Sequence, residues 1–262
     1  MDGDFASLRP LEGGWSGETF LAEAGGDRTV VRIFAGLRHP PEAAEIQASL
    51  LRLVRGLLPV PAVLEQRPGL LVTEFLPGVR GDLLLPTLPP DRLRRVGAAV
   101  GRVAAALSAM PMLRRGVFAD GDLRIERYDL TLPEALGGLG RRAEALLDEE
   151  ARACLVHSDL NPKNLLVDPE TLEVTGVLDW ELAHAGHPFT DLGNLLRFDR
   201  EPAYVEGVLS AYPDPGRALE LARAADLHAL AELASRAGEN PVADRAAARL
   251  DAIVRAQDWH AT

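Results

Sequence analysis

Residues 154 to 181 carry three short apolar runs, Cys154 to His157, Leu165 to Val167 and Val174 to Leu178, each too short for a helix and rich in Leu and Val. They read as three strands set into a chain that is otherwise helical in pattern on both sides. Asp168-Pro169-Glu170-Thr171 supplies a turn between the last two. Polar residues sit at the ends of these strands. His157, Asp159 and Asn164 have the spacing H-x-D-x-x-x-x-N, and Asp179 closes the third strand in Val177-Leu178-Asp179-Trp180-Glu181.

The rest of the chain fixes the fold class. Leu11-Glu12-Gly13-Gly14-Trp15-Ser16-Gly17-Glu18 reads as a glycine-rich hairpin turn leading into Thr19 to Ala22, and Thr29 to Phe34 is β-branched and strand-like. A helix follows the Pro40-Pro41 pair, with Ile46, Leu50, Leu53 and Leu57 as its apolar positions, and Pro59 and Pro61 end it. Leu70 to Phe75 is a strand broken by Leu76-Pro77-Gly78. Asp91 reads as the N-cap of a helix whose face is Leu93, Val96, Val100, Val103, Leu107 and Met110. Residues 111 to 135 look irregular, 136 to 153 helical, and the region after Glu201 helical apart from Tyr212-Pro213-Asp214-Pro215-Gly216. This is not an alternation of strand and helix, so a doubly wound sheet is excluded. The expected class is α+β, bilobal: a small N-terminal antiparallel sheet plus one helix over residues 1–76, and a larger, mostly helical lobe over 77–262.

With 262 residues, 47% of them apolar, the chain can bury a core of that size. The single cysteine rules out an internal disulfide, the first residues lack the basic and apolar run of a signal peptide, and no apolar stretch could span a bilayer. A cytoplasmic protein, monomer or homodimer, with no membrane partner is expected. The net charge of −11 disfavours a nucleic-acid surface and would steer a cationic small molecule. There is no Gly-Lys-Ser/Thr of a Walker loop. Of 28 Lys plus Arg, only Lys163 is lysine, leaving 27 arginines.

The strand-flanked residues suit phosphoryl transfer. A carboxylate at Asp159 can take or orient a hydroxyl proton, and Asn164 with Asp179 offers Mg²⁺ the hard oxygen ligands it requires. Lys163, four residues after Asp159, is a candidate cation at the transferring phosphoryl group. His157 is expected to orient the loop by hydrogen bonding, Cys154 to be core, and His184 and His187 to be loop histidines. Glu181 is open between a ligand role and a solvated side chain.

The phrases His157-Ser158-Asp159-Leu160-Asn161-Pro162-Lys163-Asn164 and Val177-Leu178-Asp179-Trp180-Glu181, with Gly186, Pro188 and Asp191-Leu192 in the pattern G-x-P-x-x-D-L, resemble the aminoglycoside phosphotransferase and choline kinase superfamily, which has the protein-kinase-like fold. The resemblance implies Asp159 as catalytic base, Asn164 and Asp179 as Mg²⁺ ligands, and ATP or GTP as co-substrate. It further implies a hinge at Thr73 and Phe75 for the adenine, and Gly13, Gly14 and Gly17 over the phosphates. Arg32 stands where protein kinases carry Lys, and would pair with phosphate and with Glu45. Ser158 replaces a frequent Gly, and His187 a frequent Asp. Asp179-Trp180-Glu181 in place of D-F-G, with no A-P-E, favours a small-molecule alcohol over a protein as acceptor. The competing expectations are a non-catalytic nucleotide-binding module and a metal-dependent hydrolase using His157 and Asp159.

Overall fold

A computed structural model describes residues 7–11, 19–24, 26–34, 39–128, 131–198 and 201–261. Gly13, Gly14, Gly17 and Trp15 lie outside the described residues. In chain order the strands are β1 (Ser7–Pro10), β2 (Thr19–Ala24), β3 (Asp27–Ile33), β4 (Val63–Arg67), β5 (Leu70–Glu74), β6 (Val79–Arg80), β7 (Pro111–Met112), β8 (Val117–Phe118), β9 (Ile125–Glu126), β10 (Ala153–Val156), β11 (Leu165–Val167), β12 (Val174–Val177) and β13 (His184–Gly186). The helices are α1 (Ala43–Val54), α2 (Gly81–Leu84), α3 (Pro90–Ser108), α4 (Gly137–Asp148), α5 (Thr190–Leu196), α6 (Pro202–Leu209), α7 (Pro215–Ala234) and α8 (Pro241–Ala256).

The chain forms two compact units. The first comprises Met1–Leu84, Phe118–Glu126 and Lys163–Glu181; the second comprises Leu85–Val117, Arg127–Pro162 and Leu182–Thr262.

The first unit is built on an antiparallel sheet of order β1-β2-β3-β5-β4, with α1 packed on β4 and β5. Val31 pairs with Phe20 and Val72, and Arg32 pairs with Thr19 and Leu71. The residues that α1 buries include Ala44, Ala48, Leu50, Leu51 and Val54. Leu53 and Leu57, expected on that face, are instead 43% and 65% exposed. The helix ends at Val54, so Leu57 lies beyond it, and Leu53 is not among the positions that the helix buries. A second small sheet, β12-β11-β6, belongs to the same unit. It brings Leu165 opposite Val177, which places Asn164 and Leu178 side by side: the Leu178 amide donates to the Asn164 carbonyl at 2.9 Å.

The second unit holds the sheet β13-β10-β7 and most of the helices. Helix α3 starts at Pro90 with Pro89 as its N-cap, and Asp91 lies in the first turn instead of capping it. Proline at the first helical position needs no N–H partner and arrives with helical φ, so it displaces the acid from the cap. Helices α3 and α6 come so close that a Cβ at Gly101 would meet the Val208 carbonyl oxygen at 2.2 Å, and one at Gly207 the Arg94 carbonyl oxygen at 2.1 Å. Leu139, Ala143, Leu227, Leu230, Ala246 and Ile253 centre the core of α4, α7 and α8.

Candidate active site

The run H-x-D-x-x-x-x-N is shared between the units, because the chain passes from the second to the first between Pro162 and Lys163. Each half is built differently.

In the second unit, β10 is fully buried and ends at Val156, so the chain leaves the core with its next polar groups needing partners. Asp191, in the first turn of α5, provides them. Its Oδ2 accepts from the His157 amide and its Oδ1 from the Ser158 amide, both at 2.8 Å. Burial pushes the Asp191 carboxyl above the usual range, opposed by the charge of His157 and by these two amides. Ser158 has φ +68°, the left-handed region that an L-residue enters at a cost. Glycine would enter that region without the cost. The Asp159 amide donates to His157 Nδ1 at 3.3 Å, so His157, fully buried, orients the loop as expected. Asn161 Nδ2 donates to Asp159 Oδ1 at 2.7 Å and to the Asp159 carbonyl at 3.0 Å, fixing one oxygen of that carboxylate. Asp159 itself is half-buried.

In the first unit, Asn164 is buried immediately before β11, Lys163 beside it is exposed, and Asp179 follows β12 with φ +64°. Arg32 reaches from β3 to Asp179, its Nη1 donating to Oδ1 at 2.8 Å, and its Nη2 donates to Glu181. The Arg32 Nε is buried and has no hydrogen-bond partner among the described residues. Glu45, in the first turn of α1, lies against Gly121, where an added Cβ would fall 2.3 Å from the Glu45 Cδ. The ion pairs described for Arg32 are thus with Asp179 and Glu181. Thr73 is buried on β5, and Phe75, just beyond it, carries the Arg28 guanidinium 4.2 Å from its ring centre.

His184 and His187 are engaged by the backbone: His184 Nδ1 with the Leu182 carbonyl at 3.0 Å, His187 Nε2 with that of Leu147 at 3.2 Å. Burial pushes the His187 pKa down to about 4, with the Arg115 charge adding to it. Burial pushes the Cys154 thiol up to about 12, so this cysteine is inert core. Among the described residues no cluster of three or more His, Cys, Asp or Glu could hold a metal ion.

Sequence reading missed the partners behind the loop. Asn194 Nδ2 donates to the Ser158 carbonyl at 2.6 Å, and Arg197 joins Asn194 to Asp226. Polar residues on Ala- and Leu-rich helices carry no local sign that they are buried.

The family model described as phosphotransferase enzyme family matches residues 7–221, and the chain belongs to that family. Aminoglycoside 3'-phosphotransferase of Streptomyces fradiae is 30% identical over 186 residues, covering 59% of this chain and 66% of that enzyme. Acyl-CoA dehydrogenase family member 11 of Mus musculus is 45% identical over 53 residues, which is 20% of this chain and only 7% of that much longer protein. A thermostable mutant of the aminoglycoside phosphotransferase APH(4)-Ia, solved as a ternary complex with ADP and hygromycin B, superposes with a TM-score of 0.64 at 23% identity, covering 95% of this chain and 94% of the other. The α+β, protein-kinase-like fold expected from the sequence is the fold found.

Proposed function

We propose that this chain is a small-molecule kinase that moves the γ-phosphoryl group of ATP or GTP to a hydroxyl group. The observation that carries the reading is the loop 157–159, whose amides are held by Asp191 and His157 while Asn161 aims the Asp159 carboxylate. In the step proposed, the acceptor hydroxyl oxygen forms a bond to the γ-phosphorus. The bond from that phosphorus to the β–γ bridging oxygen breaks, the diphosphate leaves with the electron pair, and Asp159 takes the hydroxyl proton.

Asn164 and Asp179 would hold Mg²⁺. They fit it, since an amide oxygen and a carboxylate are hard donors and the Asn164–Leu178 hydrogen bond brings their backbones together. Bound there, the ion would offset charge on the phosphate oxygens. Arg32 already meets Asp179, and its unpartnered Nε is a donor that a phosphate oxygen would satisfy. Lys163 would add a second cation. Thr73 and Phe75 would receive the base, with Gly13, Gly14 and Gly17 over the phosphates and Glu45 supporting the nucleotide side.

For the acceptor we favour an amine-bearing alcohol or an aminoglycoside. The net charge of −11 attracts cations, and one relative, at 30% identity, is an aminoglycoside 3'-phosphotransferase. An ADP- and GDP-release screen across amino alcohols, aminoglycosides, sugars and anionic alcohols tests this. Turnover confined to cationic alcohols and lost in Asp159→Asn supports it. Nucleotide binding without transfer to any alcohol would instead favour a non-catalytic module, and preference for anionic alcohols would remove the amine.

A further inference from the structure

We propose that Asn194, Arg197 and Asp226 form a positioning relay that sets the peptide unit carrying Asp159. The proposal rests on Asp159 as the base. It concerns residues that none of the motifs above includes.

The peptide joining Ser158 to Asp159 is held at both of its polar atoms. Its carbonyl oxygen accepts from Asn194 Nδ2 at 2.6 Å, and its N–H donates to His157 Nδ1 at 3.3 Å. A peptide unit is planar and includes the next Cα, so fixing those two atoms fixes the Cα of Asp159. Asp191 holds the two preceding amides. With those bonds in place, the orientation left to determine is that of the Ser158 carbonyl, at a residue already in the left-handed region at φ +68°.

The Asn194 amide can serve that carbonyl in one sense only, with its NH₂ forward and its oxygen behind. Arg197 dictates the sense. A guanidinium has donors and no acceptor, so the group facing it must be the Asn194 oxygen. The structure shows this arrangement, with Arg197 Nη2 donating to Asn194 Oδ1. Asp226, which only accepts when ionised, in turn fixes Arg197: Nε donates to Asp226 Oδ1 at 2.9 Å, and Nη2 lies 2.7 Å from the same oxygen. Asn194, Arg197 and Asp226 are all buried, so water does not compete for these bonds. Gly193 makes the reach possible, because an added Cβ there would meet the Ala222 carbonyl oxygen at 2.6 Å and hold α5 away from α7. The polarity thus runs from acceptor to donor to amide to loop carbonyl.

Two variants separate positioning from mere stability. Asn194→Asp keeps, and strengthens, the contact with Arg197 but turns an acceptor towards the Ser158 carbonyl. Arg197→Met combined with Asp226→Leu replaces the ion pair by apolar side chains, a change that buried pairs commonly tolerate in stability. The readouts are melting temperature, amide hydrogen exchange of the peptide spanning 155–161, and ADP release with Mg·ATP and water as acceptor, with Asp159→Asn alongside. The relay predicts, in both variants, a folded protein whose melting falls by a few degrees for the buried acceptor left unpaired, exchange of the loop amides faster by about tenfold than that global loss accounts for, and kcat lower by about 10–100-fold with KM for nucleotide unchanged. Wild-type loop exchange in a folded variant of either kind overturns it, as does a loss that appears only in KM. If one variant fails to fold, the other decides. Should Asp159→Asn retain wild-type ADP release, the base assignment fails separately, and the exchange data still decide the relay.

Discussion

Replacing Gly193 by Ala and Gly138 by Ala makes one chemical change at two helical sites with opposite expected signs. Both gain helix propensity, worth up to about 1 kcal/mol. At Gly138 the nearest atom to an added Cβ is Arg141 Nη2 at 3.8 Å, the end of a flexible side chain, so only the gain remains. At Gly193 the new Cβ would lie 2.6 Å from the Ala222 carbonyl oxygen and 3.0 Å from Asp226 Cβ. An ordinary carbon–oxygen approach is about 3.3 Å or more, so α5 and α7 must part by roughly 0.7 Å. Helix backbone cannot rotate away as a side chain can, and overpacking of this kind costs about 1–3 kcal/mol. The net expectation for Gly193→Ala is a loss of about 1–2 kcal/mol. At about 2 °C per kcal/mol for a chain of this size, that is a fall of about 2–4 °C in melting temperature, against a rise of about 1–2 °C for Gly138→Ala. Differential scanning calorimetry reads both. Because α5 carries Asp191 and Asn194, Gly193→Ala is also expected to slow turnover. A melting temperature for Gly193→Ala at or above wild type would refute the claim that α5 and α7 are in backbone contact there.

Three further outcomes follow from the same geometry. Arg32→Lys removes the planar fork that meets Asp179 and Glu181 together, and nucleotide affinity by calorimetry should fall about tenfold; unchanged affinity would take Arg32 out of the phosphate site. His187, held near pKa 4 against an ordinary 6.5, binds its proton in the unfolded chain first, so stability is full above pH 6.5 and declines as pH falls towards 4. From pH 7 to pH 5 this group accounts for about 2 kcal/mol, and His187→Gln should flatten the urea-midpoint profile by that amount relative to wild type; parallel profiles would contradict it. Ser158→Gly relieves the left-handed backbone at φ +68° and should raise stability by about 0.5–1 kcal/mol after the entropy cost of glycine, and a lower denaturation midpoint would count against the strain.

The loop around Asp159 was legible because short apolar strands with an acid between them have few alternative folds. The three strands fall at 153–156, 165–167 and 174–177, within a residue or so of their expected places. Less legible was everything set by contact at long range. Arg32 and Asp179 are separated by 147 positions, and neither residue type announces the other. The apolar spacing around α1 points to Leu53 and Leu57, but the helix stops at Val54 and buries Ala44, Ala48, Leu50, Leu51 and Val54 instead. Arg197 and Asp226 look like surface residues on polar helix faces until α5 and α7 meet through Gly193. Chain order also hides that Lys163–Glu181 belongs with the N-terminal residues in one unit.

Phosphorus NMR of the protein with Mg·ATP and a panel of amino alcohols asks whether the γ-phosphoryl group ends on carbon-bound oxygen. A phosphate monoester resonance growing with ADP for at least one alcohol, and absent with Asp159→Asn, is the expected spectrum. Inorganic phosphate alone, or ester formation undiminished by that substitution, would contradict the assignment of this chain as a kinase acting through Asp159.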